Sequence, residues 1–133
     1  MNTAQLYGIA FLVFCGLDGV WLGLISKDLY RQQLGYLMTK DVNWAAAVIF
    51  YLLFIAGLVF FVIQPAMKLQ SWQYALGAGA FFGLVTYATY DLTNLAVVKQ
   101  WPLFITIVDL AWGTTLSMLV STITFFIAQW ISK

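Results

Sequence analysis

Four long apolar stretches dominate the sequence, at about residues 6–25, 44–63, 74–98 and 103–130. A stretch of about 20 apolar residues is long enough to cross a bilayer as an α-helix, which satisfies its own backbone hydrogen bonds. We therefore predict an all-α integral membrane protein with four transmembrane helices, forming a single domain over residues 1–133. Gln64-Pro65 is predicted to end the second helix. Tryptophans lie at the ends of the stretches, as in an aromatic belt: Trp44, Trp72, Trp101 and Trp130.

The composition excludes several classes of protein. The chain is 63% hydrophobic and only 8% charged, with a mean hydropathy of +0.91, whereas soluble domains are about 25% charged. A net charge of +1 gives no electrostatic basis for nucleic-acid binding. The absence of histidine excludes imidazole bases and ligands. The single cysteine, Cys15, excludes an intrachain disulfide and is expected to pack as a small apolar residue.

The basic residues indicate an orientation. With four spans, both termini lie on one side, which carries Lys68 and Lys133. The other side holds residues 26–43 and 99–102, with four basic residues, and is therefore predicted to be cytoplasmic: Lys27, Arg31, Lys40 and Lys99. The first stretch lacks a basic n-region and a cleavage pattern, so we interpret it as a retained helix rather than a signal peptide.

The connection at residues 26–43 mixes apolar and charged residues. This mixture predicts a short amphipathic helix in the headgroup layer between the first and second spans. A partly ordered polar linker is the alternative. An interfacial helix here would cover the cytoplasmic face of the domain.

Three aspartates lie within the apolar stretches at one predicted depth. Asp18 lies nine residues before Lys27. Asp91 lies eight residues before Lys99, and Asp109 lies ten after it. At 1.5 Å per residue, each is roughly 12–15 Å from a charge on the same face. Placing one carboxylate in hydrocarbon costs about 2.5–3.5 kcal/mol, so three at one level predict an intramembrane site. The alternative is that they only join helices through hydrogen bonds.

Two stripes of residues at four-residue spacing place these acids on helix faces. The third stretch has one stripe and the fourth has a matching one, and we expect the two to face each other across a tight turn: Ala75, Gly79, Gly83, Tyr87 and Asp91, and Asp109, Gly113, Ser117 and Ser121. Asp91 and Asp109 would then lie together near the turn.

Aromatic and amide side chains complete the predicted site. Trp21 and Trp112 each follow an aspartate by three residues, Tyr87 and Tyr90 precede Asp91, and Asn94 follows it. Neighbouring carboxylates repel one another, so the cluster is expected to carry fewer than three full charges, which suits proton exchange or a bound cation. The candidates for ligand binding or proton exchange are Asp18, Asp91, Asp109, Asn94, Tyr87, Tyr90, Trp21 and Trp112.

The same residues carry a family likeness that extends nearly from end to end. The sequence closely resembles the bacterial membrane proteins called domain of unknown function 2177, at five segments: Asp18-Gly-Val-Trp-Leu-Gly23, Phe50-Tyr-Leu-Leu-Phe-Ile-Ala-Gly-Leu58, Tyr87-Ala-Thr-Tyr-Asp-Leu-Thr-Asn-Leu-Ala96, Trp101-Pro102 and Val108-Asp-Leu-Ala-Trp-Gly-Thr114. The resemblance implies a small multi-pass protein of the bacterial inner membrane. It implies no reaction.

Four functions are compatible with these features. The first is binding or handling of a membrane lipid or amphiphile, for instance one with a cationic head group held by carboxylates and aromatic faces. The second is a lipid-modifying enzyme using carboxylates as acid and base or as ligands of a divalent metal. The third is a proton-coupled exporter working as a dimer, and thus as a homo-oligomer. The fourth is a structural membrane subunit. The substrate, cofactor and metal are not specified by the sequence.

Overall fold

The computed structural model describes all 133 residues and contains helices but no strand. Helix α1 spans Thr3–Ile25, and its last turn, at Trp21–Ile25, is a π-helix. Helix α2 is short, at Lys27–Leu34. Helix α3 spans Trp44–Leu69 with a π-helical turn at Val59–Ile63. Helices α4 and α5 span Trp72–Val97 and Leu103–Ile131. The prediction of an all-α fold is confirmed.

Three of the four long helices have both the length and the apolar composition needed to cross a membrane: α1, α3 and α5. Helix α4 has 26 residues, which is long enough, but its glycines, threonines, tyrosines and Asp91 make it less apolar than the others. The fourth span therefore stays a prediction.

The prediction that Gln64-Pro65 ends the second long helix is wrong. Helix α3 continues to Leu69 because a π-helical turn precedes the proline. Proline has no backbone N–H, so the carbonyl four residues earlier, that of Phe61, receives no bond from it. That carbonyl accepts a hydrogen bond from the Tyr74 hydroxyl at 3.4 Å instead.

The apolar core is formed by one face each of α1, α3 and α5. On α1 the buried residues recur every four positions: Leu6, Ala10, Phe14 and Asp18. The first three pack against α3 and α5 in a single cluster with Phe54, Ile55, Leu58, Val59, Val62, Ile63, Leu116, Val120 and Ala128. The periodicity continues directly into Asp18, so this acid points toward the bundle and not toward lipid.

Helices α4 and α5 are antiparallel, and their stripes face each other as predicted. A Cβ atom added to Gly83 would lie 2.2 Å from the backbone oxygen of Gly113 and 2.5 Å from the Ser117 hydroxyl. One added to Gly79 would lie 2.8 Å from the Ser121 hydroxyl. The two backbones thus approach so closely that no larger residue fits at these glycines. The close approach fixes the α4–α5 pair and, with it, the positions of Tyr87 and Asp109.

Candidate functional site

A cavity of about 610 Å³ lies where α1, α2, α3, α4 and α5 meet. Ten of its 15 lining residues are hydrophobic. Its polar groups include two carboxylates and one ammonium, those of Asp18, Asp109 and Lys27. Aromatic rings form much of the remaining wall: Trp21, Tyr30, Phe50, Tyr51, Tyr87, Tyr90 and Trp112. Such a mixture of apolar wall and few polar groups is typical of small-molecule sites.

Asp18 reaches the cavity from α1. Only 8% of its surface is exposed. Its Oδ1 accepts a hydrogen bond from the Trp112 indole N–H of α5 at 3.4 Å, and the Tyr51 hydroxyl of α3 adjoins the same carboxyl. Asp18 therefore connects three helices at the cavity wall while keeping acceptor capacity for a further partner.

Asp109 reaches the cavity from α5 and is 9% exposed. Its Oδ1 accepts a hydrogen bond from the Tyr30 hydroxyl at 2.6 Å, at the short end of the usual O–H···O range. The Tyr30 oxygen in turn accepts from the Trp21 indole N–H at 3.3 Å. Burial, followed by the contact with Asp109, raises the pKa of Tyr30 above that of a free phenol. The hydroxyl consequently keeps its proton and acts as a donor.

The two tryptophans stack on each other between the acids. The rings of Trp21 and Trp112 lie with their centroids 4.5 Å apart and their planes within 9°. Trp21 is the first residue of the π-helical turn that ends α1, a feature that often occurs at functional sites. Through this pair, Asp18 and Asp109 belong to one continuous network of polar and stacking contacts.

Asp91 does not line the cavity. It is 1% exposed and lies against Asp109, and its Oδ2 has no hydrogen-bond partner. The three aspartates do not form a group able to hold one metal ion. The structure therefore places two of the three aspartates, Asp18 and Asp109, in the cavity wall and buries the third, Asp91, outside it. The depth predicted for Asp91 stays a prediction, and its side chain is buried beside Asp109 in the α4–α5 contact.

The other predicted site residues also fall into two groups, those that line the cavity and one that does not. Trp21, Trp112, Tyr87 and Tyr90 line the cavity, whereas Asn94 does not. The Tyr90 ring also meets Trp101 edge to face, with ring centroids 5.7 Å apart. The structure thus brings together six of the eight candidates.

Two lining tyrosines were missed by the sequence reasoning. Tyr51 lies in the uncharged second stretch, where it resembles the surrounding aromatic residues. Tyr30 lies in the connection, where no helical stripe of sufficient length marks it. A single tyrosine among apolar residues is weak evidence for a site. However, Tyr51 is the second residue of the segment Phe50–Leu58, which carries part of the family resemblance.

The connection between α1 and α3 forms one side of the cavity. It contributes Ser26, Lys27, Tyr30, Leu34 and Met38 to the lining. Its far end is attached to the α4–α5 turn, because the Tyr36 hydroxyl donates to the Gln100 carbonyl. A helix is present at Lys27–Leu34, but its location in the headgroup layer stays a prediction.

The chain belongs to the family described as predicted membrane protein (DUF2177), which it matches over residues 3–126. The matched range includes every residue of the cavity wall. No curated protein and no solved structure matches the chain.

Proposed function

We propose that this membrane protein binds an amphiphile with a cationic head group in the cavity between α1, α2 and α5. The observation that carries the proposal is that two buried carboxylates and the stacked pair of tryptophans line the same cavity. An ammonium group would lie between Asp18 and Asp109, and the acyl chain would extend along the apolar wall.

The chemistry of the wall supports a cation with an attached chain. Buried carboxylates are unfavourable in a membrane unless they are paired, so a bound cation would offset part of that cost. The outward faces of Trp21 and Trp112 would add cation–π attraction of about 0.5–2 kcal/mol. The predominance of hydrophobic lining residues favours an amphiphile over a small hydrophilic ion.

The arrangement in the membrane is part of the same proposal. Helix α4 would be the fourth span, and α2 would lie at the membrane surface, from which a lipid could enter the cavity. The excess of basic residues at residues 26–43 and 99–102 favours a cytoplasmic location for this end. The termini would then face the periplasm or exterior of a bacterial inner membrane.

A lipid-modifying enzyme with a carboxylate-bound metal is supported less well. Such a site needs several carboxylate oxygens converging on one ion. Asp91 does not line the cavity, so only two carboxylates, those of Asp18 and Asp109, could contribute there.

The proposal is tested by binding of cationic probes to the purified protein in uncharged dodecyl maltoside micelles. Dodecylamine and dodecyltrimethylammonium are the probes, dodecanol is the neutral match, and tryptophan fluorescence reports binding. We expect at least one cationic probe to bind more tightly than dodecanol. Asp18→Asn and Asp109→Asn should each weaken that binding by about tenfold or more, because each removes a buried charge that faces the ligand.

Asp41→Asn is the matched control, since Asp41 is exposed and outside the cavity. Its binding curve should equal that of the wild type. The proposal would be contradicted by equal binding of dodecanol and both cations, or by Asp18→Asn and Asp109→Asn proteins that bind as tightly as the control.

A further inference from the structure

The surroundings of Asp91 do not compensate a negative charge. Its side chain is 1% exposed, its Oδ2 has no hydrogen-bond partner, and its carboxyl forms a hydrogen bond with the carboxyl of Asp109. The other titratable groups that act on it are two phenols, those of Tyr30 and Tyr90. An ionised carboxylate in this place would have neither a cation nor a full set of donors, which is strongly unfavourable in a protein interior.

The contact between the two carboxyls itself requires a proton. Two ionised carboxylates have only acceptors, so neither can donate to the other, and like charges in contact repel. When one of the two acids is protonated, its O–H donates to the other and the repulsion disappears. The pair formed by Asp91 and Asp109 therefore holds one proton between two carboxyls.

The hydrogen-bond partners decide which acid carries the proton. Asp109 Oδ1 accepts from the Tyr30 hydroxyl at 2.6 Å, and the Tyr30 oxygen accepts from Trp21, so the phenol proton is directed at Asp109. A donor of this kind stabilises a negative charge on the acceptor. Asp91 has no such donor at Oδ2. The charge is therefore favoured on Asp109, and the proton on Asp91.

We infer that Asp91 is a proton-binding residue, which stays a neutral acid at neutral pH and donates its proton to Asp109. Through this bond Asp91 positions Asp109 as an ionised carboxylate of the cavity wall. The inference goes beyond the proposed function, because the proton is held whether or not a ligand is bound. It leaves at most two of the three aspartates in the apolar stretches charged.

Infrared spectroscopy of the purified protein in dodecyl maltoside micelles tests this charge state directly. A protonated carboxylic acid has a C=O stretching band that a carboxylate lacks. The chain has five aspartates and no glutamate, so labelling the aspartate carboxyl carbon with carbon-13 identifies any such band. We expect the wild type to show this band at neutral pH. Its absence would overturn the inference without the need for any variant.

Two variants identify the acid that carries the proton. Asp91→Asn should weaken or remove the band, because asparagine is neutral and its amide N–H can still donate to Asp109. Asp109→Asn should keep the band at a changed frequency, because Asp91 stays buried and neutral while its acceptor becomes an amide. Asp41→Asn is the matched control, since Asp41 is exposed and outside the cavity, and its spectrum should equal that of the wild type.

The opposite pattern would overturn the inference. An Asp91→Asn band as strong as that of the wild type, or loss of the band in Asp109→Asn, would place the proton on another acid. Each variant decides the question by itself, so failure of one of them to fold leaves the other as the test.

Binding of dodecyltrimethylammonium, whose charge is fixed, relates the proton to the cavity. Asp91→Asn exchanges one neutral side chain for another, so its affinity should stay within about twofold of the wild type, whereas Asp109→Asn should lose about tenfold or more. An equal loss in a folded Asp91→Asn protein would mean that Asp91 is charged, and would overturn the inference. Failure of the wild type to bind either cation would overturn only the proposed function, since the infrared spectra need no ligand.

Discussion

The two ends of the α4–α5 interface differ in packing: one is closely packed through small residues, and the other adjoins the cavity. At the glycine end, which comprises Gly79, Gly83, Ser117 and Ser121, the backbones touch and no space remains. At the acid end, which comprises Tyr87, Asp91, Asp109 and Gly113, large and polar side chains replace the small ones and the cavity opens beside them. Gly113 forms the border, because an added Cβ would lie 2.2 Å from the Tyr87 ring. The comparison shows how one pair of helices can provide both a rigid support and a binding wall.

The largest effect is expected at the glycine end. Gly83→Ala places a Cβ atom 2.2 Å from a backbone oxygen of α5, which has no room to move unless the helices separate. Overpacking of this kind typically costs about 1–3 kcal/mol and occasionally more. We expect a markedly lower midpoint of thermal unfolding in detergent, followed by circular dichroism.

Gly77→Ala is the control on the same helix, since an added Cβ there has nothing within 4 Å. It should leave the midpoint unchanged or raise it, because alanine favours a helix by up to about 1 kcal/mol over glycine. Equal midpoints for the Gly83→Ala and Gly77→Ala proteins would contradict the close approach of α4 and α5.

A smaller effect is expected at the border. Gly113→Ala would collide with the Tyr87 ring and not with the backbone of the neighbouring helix, so we expect a smaller loss than for Gly83→Ala, within the same range of about 1–3 kcal/mol. In a Tyr87→Ala background the collision disappears, and Gly113→Ala should then cost little. A double-mutant cycle of unfolding free energies measures this coupling. Additive effects would mean that Tyr87 does not pack on Gly113.

The smallest effects on stability are expected from removing threonine hydroxyls, and they should differ between a hydroxyl that has hydrogen-bond partners and one that has none. Thr106 lies beyond the acid end, where its hydroxyl donates to the Pro102 carbonyl at 3.0 Å and accepts from Trp101 at 3.1 Å. Thr124 lies beyond the glycine end, and its buried hydroxyl has no partner. Thr106→Val should therefore cost about 1 kcal/mol, whereas Thr124→Val should be neutral or stabilising. Equal losses in unfolding midpoint would contradict this difference.

The glycine end was predictable because its signal is periodic and local. Four-residue spacing places Gly79, Gly83 and Ser117 on defined faces, and small residues in membrane helices have few uses other than close packing. The facing of the two stripes followed from the short turn between α4 and α5.

The acid end was only partly predictable, because a site depends on where each side chain points as well as on its position along the helix. Asp91 and Asp109 lie near the same turn, yet Asp109 lines the cavity and Asp91 does not. Tyr30 enters from a connection whose path no periodicity determines, and its bond to Asp109 joins positions 79 residues apart. The continuation of the helix through Pro65 was missed, because a proline is a clear sequence signal for a helix end, whereas a π-helical turn has no comparable signal in the sequence.

The most direct test of the proposed binding site is a high-resolution structure of the protein in lipid with dodecylamine added. We predict density for the amine in the cavity between Asp18 and Asp109, with its nitrogen about 2.7–3.2 Å from an Asp109 oxygen. A cavity without amphiphile at saturating amine, in which Tyr30 and Trp112 still donate to the two acids, would contradict the account and assign the aspartates a purely structural role.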